Sequence, residues 1–166
     1  MPGSIADPSE PLPEVDAAKL LRDKALDLLS RRSHFRQELE TKLRARGFDP
    51  GDIDGALDTL EGEGYLDDRS TAEQWVAQRL RRRPEGPRKL LAELRRRGAD
   101  SEVASDALRH LGAAEELDLA RQATERKFGD EEVDGNTLGR FLDRRGFHSS
   151  TIARILRDRS AAEPLL

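Results

Sequence analysis

Nine arginines and lysines fall within residues 79–97, opposed only by Glu85 and Glu93, so this window carries net +7 in a chain whose formal net charge is −4. The chemistry open to such a cluster is the binding of anions, either phosphates or an acidic protein surface. The next stretch is its opposite: residues 98–118 hold Asp100, Glu102, Asp106, Glu115, Glu116 and Asp118 against Arg109 alone. Charge segregated in this way creates a directed field, which an evenly charged, solvated helix face would not.

Other residue types that could do chemistry are poorly arranged for it. His34, His110 and His148 stand at or near expected helix ends without the clustered ligands a metal needs, and read as surface or cap residues. The stretch "PGDIDGALDTLE" puts Asp52, Asp54, Gly55, Asp58 and Glu61 at positions 3, 5, 6, 9 and 12 of a calcium-binding loop. Position 1, which must supply an oxygen, is Pro50, and Ile53, Leu57 and Leu60 have the spacing of a buried helical stripe. Calcium binding is therefore set aside. The chain has no cysteine, which excludes disulfides and thiolate metal sites. It also has no phosphate-cradling Gly-x-x-x-x-Gly-Lys-Ser/Thr loop and no Gly-x-Ser-x-Gly elbow. The expectation is a protein that is not an enzyme and uses no cofactor and no metal.

The elements that must position the basic cluster are helices. Of the 166 residues 36% are hydrophobic and 37% charged, with five Phe, one Trp and one Tyr, an inventory that suits several thin Leu/Ala cores better than one large one. Helical apolar spacing alternates with glycines and capping residues. Ser33 is placed to cap a helix ending at Gly47, and Asp49-Pro50 opens the next. Gly86-Pro87 opens another that ends at Gly98, Asp100 or Ser101 starts the one after, residues 113–128 form a seventh, and Asn136 and Ser149 cap the last two. Around three glycines the pattern recurs. "KLRARGF" (42–48), "ELRRRGA" (93–99) and "FLDRRGF" (141–147) align on Gly47, Gly98 and Gly146, spaced 51 and then 48 residues apart. A leucine precedes each of these segments (Leu39, Leu90, Leu138), and Ile53, Ala104 and Ile152 follow each glycine by six residues. This is an internal repeat whose units share cores. The reading is an all-α, tandem array of three three-helix repeats, about nine short helices, elongated and curved. Its parts are a disordered tail at 1–14, repeats at 15–64, 65–112 and 113–160, and a tail at 161–166. No apolar run is long enough to cross a membrane and no signal peptide opens the chain, so a cytoplasmic monomer is expected.

On the helix expected over 87–97, Leu90, Leu91 and Leu94 share one arc. Arg88 and Arg95 lie on the opposite face, as do Lys89 and Arg96, and Glu93 and Arg97 form an i,i+4 pair. Arg81, Arg82 and Arg83 end the preceding helix, where the dipole favours cations. The charges are thus expected to project together into solvent. The helix carries no Asn or Gln, which argues against sequence-specific reading of DNA.

With those residues in view, the chain resembles the RecX family, regulatory proteins of the RecA recombinase. The resemblance rests on "GYLDDRSTAEQWVAQRL" (64–80) and "EGPRKLLAELRRRGAD" (85–100), extended by "RSHFRQELETKLRARGF" (32–48) and "FLDRRGFHSSTIARIL" (141–156). It implies a tandem array of three-helix units. It further implies that the chain binds RecA in the groove of the RecA–DNA filament and suppresses ATPase, strand exchange and coprotease activity without any catalytic residue. Leu66, Asp67 and Asp68 match a Leu-Asp-Asp motif, and Gly86 and Pro87 a turn motif; both are read as architectural, as are Gly47, Gly98 and Gly146. Arg88 and Lys89 match the basic end of the turn motif and are expected to make contact. Arg81, Arg82, Arg83, Arg95, Arg96 and Arg97 extend the patch on charge grounds. The alternative is a non-specific nucleic-acid-binding protein with no recombinase target, and direct DNA contact stays open within either reading. No role is assigned to the acidic segment 129–135.

Overall fold

Each of the three repeat glycines has a backbone that only glycine adopts without strain, with φ of 87° at Gly47, 99° at Gly98 and 84° at Gly146. In the computed structural model the amide after each glycine donates back to the leucine carbonyl five residues earlier. The bonds run Phe48 to Leu43 (3.4 Å), Ala99 to Leu94 (3.0 Å) and Phe147 to Leu142 (3.2 Å). This is the hydrogen-bond pattern of a helix terminated through a left-handed residue. Leu43, Leu94 and Leu142 themselves are fully buried. The sequence repeat is therefore a repeat of helix stops, each tied to a core leucine.

The structure describes residues 14–129 and 131–162, and every regular element among them is a helix. In chain order these are α1 (Glu14–Arg31), α2 (Arg36–Arg44), α3 (Pro50–Gly62), α4 (Asp68–Arg82), α5 (Pro87–Arg96), α6 (Ser101–Ala107), α7 (Ala113–Phe128), α8 (Gly135–Arg144) and α9 (Ser149–Ala162). The two expected tails lie, but for their innermost residues, outside the described residues. None of the described helices is long and apolar enough to cross a membrane.

The chain divides into two units, one ending at Asp67 and one starting at Asp68. The first holds α1 to α3 around Leu21, Ala25, Leu28, Leu39, Leu43, Ile53, Leu57, Leu60 and Leu66. Leu66 of the Leu-Asp-Asp motif is thus a core residue, its amide bonded to the Leu60 carbonyl at the end of α3. In the second unit α4 and α5 both pack on α6, burying Ala72, Val76, Leu90, Leu94, Ala104 and Ala107. There α7, α8 and α9 pack mutually around Leu117, Ala120, Leu138, Leu142, Phe147 and Ile155. Each buried leucine contributes roughly 2 kcal/mol.

Cap positions separate the expected starts from the observed ones. Asp49 accepts from the Gly51 amide (2.8 Å) and Asp100 from the Glu102 amide (2.8 Å), as their spacing predicts. Ser33 does not cap α2. That helix starts two residues later, with Phe35 at the N-cap making no side-chain bond, because Phe35 is fully buried and its apolar anchoring sets the start. Asp134, not Asn136, caps α8, accepting from the Thr137 amide at 3.0 Å. Ser149 is the first residue of α9, and the preceding His148 amide donates to Glu116 at 2.7 Å.

His34 is a buried residue rather than the surface or cap residue its position suggested. Its Nδ1 lies 2.9 Å from the Arg32 carbonyl and its Nε2 2.9 Å from Lys42 Nζ. A ring that donates to a carbonyl and accepts from an ammonium is neutral. Burial pushes its pKa below the ordinary imidazole value. Beside it, burial pushes Glu38 upward, but hydrogen bonds from Arg32 and Lys42 outweigh this and hold its carboxyl at about 2. Both groups bind protons less readily folded than unfolded, so both contribute stability that is lost on acidification. The melting temperature is expected to fall in two stages, below about pH 6.5 as unfolded histidine takes up protons and below about pH 4.5 as unfolded carboxylates do. His34→Gln should flatten the first stage. A melting temperature unchanged from pH 8 to pH 5.5 would contradict this account.

Candidate functional site

The basic segments meet at a junction inside the second unit. The turn between α4 and α5 lies against the end of α8: the Gly86 amide donates to the Arg145 carbonyl (2.8 Å) and the Arg88 amide to the Gly146 carbonyl (3.1 Å). Free amides at one helix start thereby satisfy free carbonyls at another helix end. Pro87, between the two donors, has no N–H to leave unpaired. The approach admits no side chain, since a Cβ at Gly86 would sit 2.2 Å from the Gly146 carbonyl oxygen. The Gly-Pro-Arg-Lys motif is therefore the part that joins α5 to α8.

Glu85 organises the charge around this junction. Its carboxylate is fully buried, 2.6 Å from Arg79 Nε, 3.0 Å from Lys89 Nζ and 4.0 Å from Arg83 Nε. Burial pushes its pKa up, but the hydrogen bonds from Arg79 and Lys89 prevail and hold it below the ordinary carboxylate value. Arg79 also lies over the Trp75 ring, its guanidinium carbon 5.9 Å from the centroid, and Arg97 is 5.6 Å from the same ring.

The eight expected patch residues consequently differ in what they offer a partner. Arg88 and Lys89 do not project freely. Arg88 reaches across to Asp143 (2.9 Å) and the Phe147 carbonyl (3.3 Å), and Lys89 turns back to Glu85. Arg83 has Glu85 beside it, Arg96 pairs with Glu93 (2.8 Å), and Arg97 packs on Trp75 in place of the expected pair with Glu93. Arg81, Arg82 and Arg95 are exposed and form no ion pair with any described residue.

Residues missed by the sequence reading extend the positive surface on another side. Arg82 and Arg83, at the end of α4, share a concavity with Arg126 and Lys127 of α7 and with Arg145 after α8. Helical-wheel reasoning on one helix cannot find neighbours 40 to 60 residues away. The usable signal was Glu85, four residues before Lys89 and enclosed by Pro84 and Gly86-Pro87. In the first unit, Arg36 ties together Asp54 (3.3 Å), Asp58 (2.8 Å) and Glu61 (3.0 Å), carboxylates of the stretch that resembles a calcium loop. The described residues contain no group of three or more His, Cys, Asp or Glu able to hold a metal.

Residues 22–60 match the first three-helix domain of RecX and residues 67–108 the second. The chain is 38% identical over 140 residues to the "Regulatory protein RecX" of Halorhodospira halophila, covering 82% of this chain and 86% of that protein. It is 38% identical over 149 residues to the protein of the same description from Pseudomonas fluorescens, covering 87% and 95%. The crystal structure of RecX from Lactobacillus salivarius superposes with a TM-score of 0.77 at 22% identity, over 89% of this chain and 99% of that one. That likeness concerns the fold.

Proposed function

The chain belongs to the RecX family of regulatory proteins, and on that premise we propose that it is a monomeric, non-catalytic regulator of the RecA recombinase. It binds RecA and its nucleoprotein filament in the cytoplasm and suppresses ATPase, strand exchange and coprotease activity, modulating DNA repair, recombination and the SOS response. Three helical repeats, at 15–64, 65–112 and 113–160, carry this activity. The observation that supports the reading best is the similarity to a RecX regulator over 87% of this chain and 95% of that protein. Contact runs through the exposed cations of α4 and α5. Arg81, Arg82 and Arg95 carry most of it because no internal carboxylate neutralises them, with Arg96 and Arg88 beside them.

The test is RecA's single-strand-dependent ATPase, titrated with this protein. Inhibition is expected, with about a tenfold higher concentration needed once Arg81, Arg95 and Arg96 are all changed to alanine, since charges at an interface rim act chiefly on association. A triple variant that melts like the parent and inhibits equally well would remove these residues from the interface. Absence of inhibition by the parent at any ratio would overturn the reading itself.

A further inference from the structure

Between α1 and α3 of the first unit runs a groove of about 390 Å³, a volume within the roughly 300–1,000 Å³ of ligand pockets. Ala18 and Leu21 of α1 form one wall, and Gly51, Gly55, Ala56 and Thr59 of α3 form the other. Gly51, Gly55 and Thr59 recur every four residues and so share one face of α3. Gly55 is exposed in the interior of that helix, where glycine is a poor helix former. A Cβ there would meet nothing within 4 Å, so no described part of the protein requires the missing side chain. Where internal packing does not explain a helical glycine, the close approach of another backbone does.

The lining suits a length of chain better than a small molecule. Of its polar side chains, Thr59 already donates to the Gly55 carbonyl (2.9 Å) and Arg22 to Glu63 (2.6 Å). Asp52 alone is left to orient a small ligand, which needs several convergent polar groups.

We propose that the occupant is the chain's own segment 5–13, laid along the groove as an extended strap. Glu14 opens α1, and the residue two before a helix start packs against the helix's first turns, which brings Leu12 to the wall that Ala18 begins. Pro11 and Pro13 hold Leu12 extended, so little conformational freedom is lost on docking. Ile5 is the other large aliphatic residue of the segment. From it to Leu12 an extended chain spans about 22 Å, against about 12 Å of helix from Gly51 to Thr59, so the strap can follow the α3 wall end to end. The segment carries Asp7 and Glu10 with no lysine or arginine, while Lys19, next to Ala18, is exposed and pairs with no described residue. The strap stabilises the three-helix core of the first unit and closes its groove to other chains. It replaces the free tail that composition alone led us to expect, and it is independent of the regulatory reading.

The experiment is hydrogen exchange at the Leu57 and Leu60 amides, inside α3, in the full chain. Ile5→Asp with Leu12→Asp should speed exchange about tenfold, because two apolar side chains leave the groove. Gly55→Gln, which fills the groove, tests the close approach to the glycine. In the Ile5→Asp/Leu12→Asp background it should slow exchange about fourfold through better helix propensity. In the parent background, displacement of the strap should cancel that gain. Tail changes without effect, together with equal slowing by Gly55→Gln in both backgrounds, would overturn the proposal. The chain has no cysteine, so a Leu12→Cys/Gly55→Cys pair identifies whose segment fills the groove. On oxidation at low protein concentration it should close within the monomer about tenfold faster than Leu12→Cys with Asp54→Cys. Asp54 is the neighbouring residue, on the face that meets Arg36 (3.3 Å). Equal closure rates for the two pairs would overturn the strap, and so would a disulfide-linked dimer, which puts a second copy in the groove.

Discussion

Replacing Gly146 by alanine should destabilise the second unit by about 4 kcal/mol or more, a size reserved for a few mechanisms of which steric collision in a packed interior is one. Two costs combine there. The backbone is at φ 84°, where a non-glycine residue is strained by about 1–3 kcal/mol. The added Cβ would lie 2.4 Å from both the amide nitrogen and the Cβ of Lys89, in the first turn of α5, which cannot move without breaking the bonds to Arg145 and Gly146. Two companion variants separate the costs. Gly47→Ala has the same left-handed strain (φ 87°) but meets nothing within 4 Å, and should cost only about 1 kcal/mol. Gly86→Ala has an ordinary backbone (φ −81°) but a Cβ 2.2 Å from the Gly146 carbonyl oxygen, so its cost is steric alone and should exceed that of Gly47→Ala. Urea unfolding measures all three. Hydrogen exchange at the Gly86 and Arg88 amides reports whether the junction itself has opened. A Gly146→Ala protein no less stable than Gly47→Ala would show that the α5–α8 contact is not rigid.

The same junction marks the limit of what the sequence could disclose. Helix identity and the three glycine stops were readable because they depend on spacing within one segment: Leu43, Leu94 and Leu142 precede their glycines by four residues and are all buried. The fate of each charge was not, because it depends on which segments meet. Arg88 and Asp143 are 55 positions apart, and nothing in the periodicity of α5 shows that its first turn faces the end of α8. Lys89 was placed on an outer face by the wheel, yet the buried carboxylate four residues earlier draws it inward. Ser33 failed as a cap for a related reason: burial of His34 and Phe35 overrides a preference worth about 1 kcal/mol.

For the basic surface this means that counting arginines overstates what a partner meets. Arg79, Lys89 and Arg88 hold the protein together, while Arg81, Arg82 and Arg95 stay available at the surface and Arg126, Lys127 and Arg145 add charge from α7 and the end of α8. A substitution series that treats all of them as one patch would confuse loss of binding with loss of folding. The family's turn motif illustrates the point, since its glycine, its proline and both of its cations take part in the junction.

The second large effect concerns Glu85, and its size depends on which side of the pair is removed. Arg79 and Lys89 are each about a third exposed (36% and 31%), whereas the carboxylate is wholly enclosed. Glu85→Gln leaves two cations that can turn to water and an amide that can still accept hydrogen bonds, so its cost should be modest. Arg79→Met with Lys89→Met keeps the packing of both stems but leaves a buried carboxylate with only Arg83, 4.0 Å away, and should cost about 3–5 kcal/mol at neutral pH. The pH dependence tells the two apart. In the parent the folded carboxyl titrates below its unfolded value, so its contribution is present above about pH 4.5 and is lost as pH falls. In the double variant burial acts without its two main counterweights and raises the folded value above the unfolded one. Glu85 then favours folding below about pH 4.5, and that contribution is lost as pH rises through the raised value. The double variant should therefore lose less stability on mild acidification than the parent, or gain some. Urea titrations at pH 7.5 and 5.0, followed through the single tryptophan, Trp75, measure the difference directly. A double variant that weakens in parallel with the parent between those two values would show that Glu85 is not the carboxylate on which this junction depends.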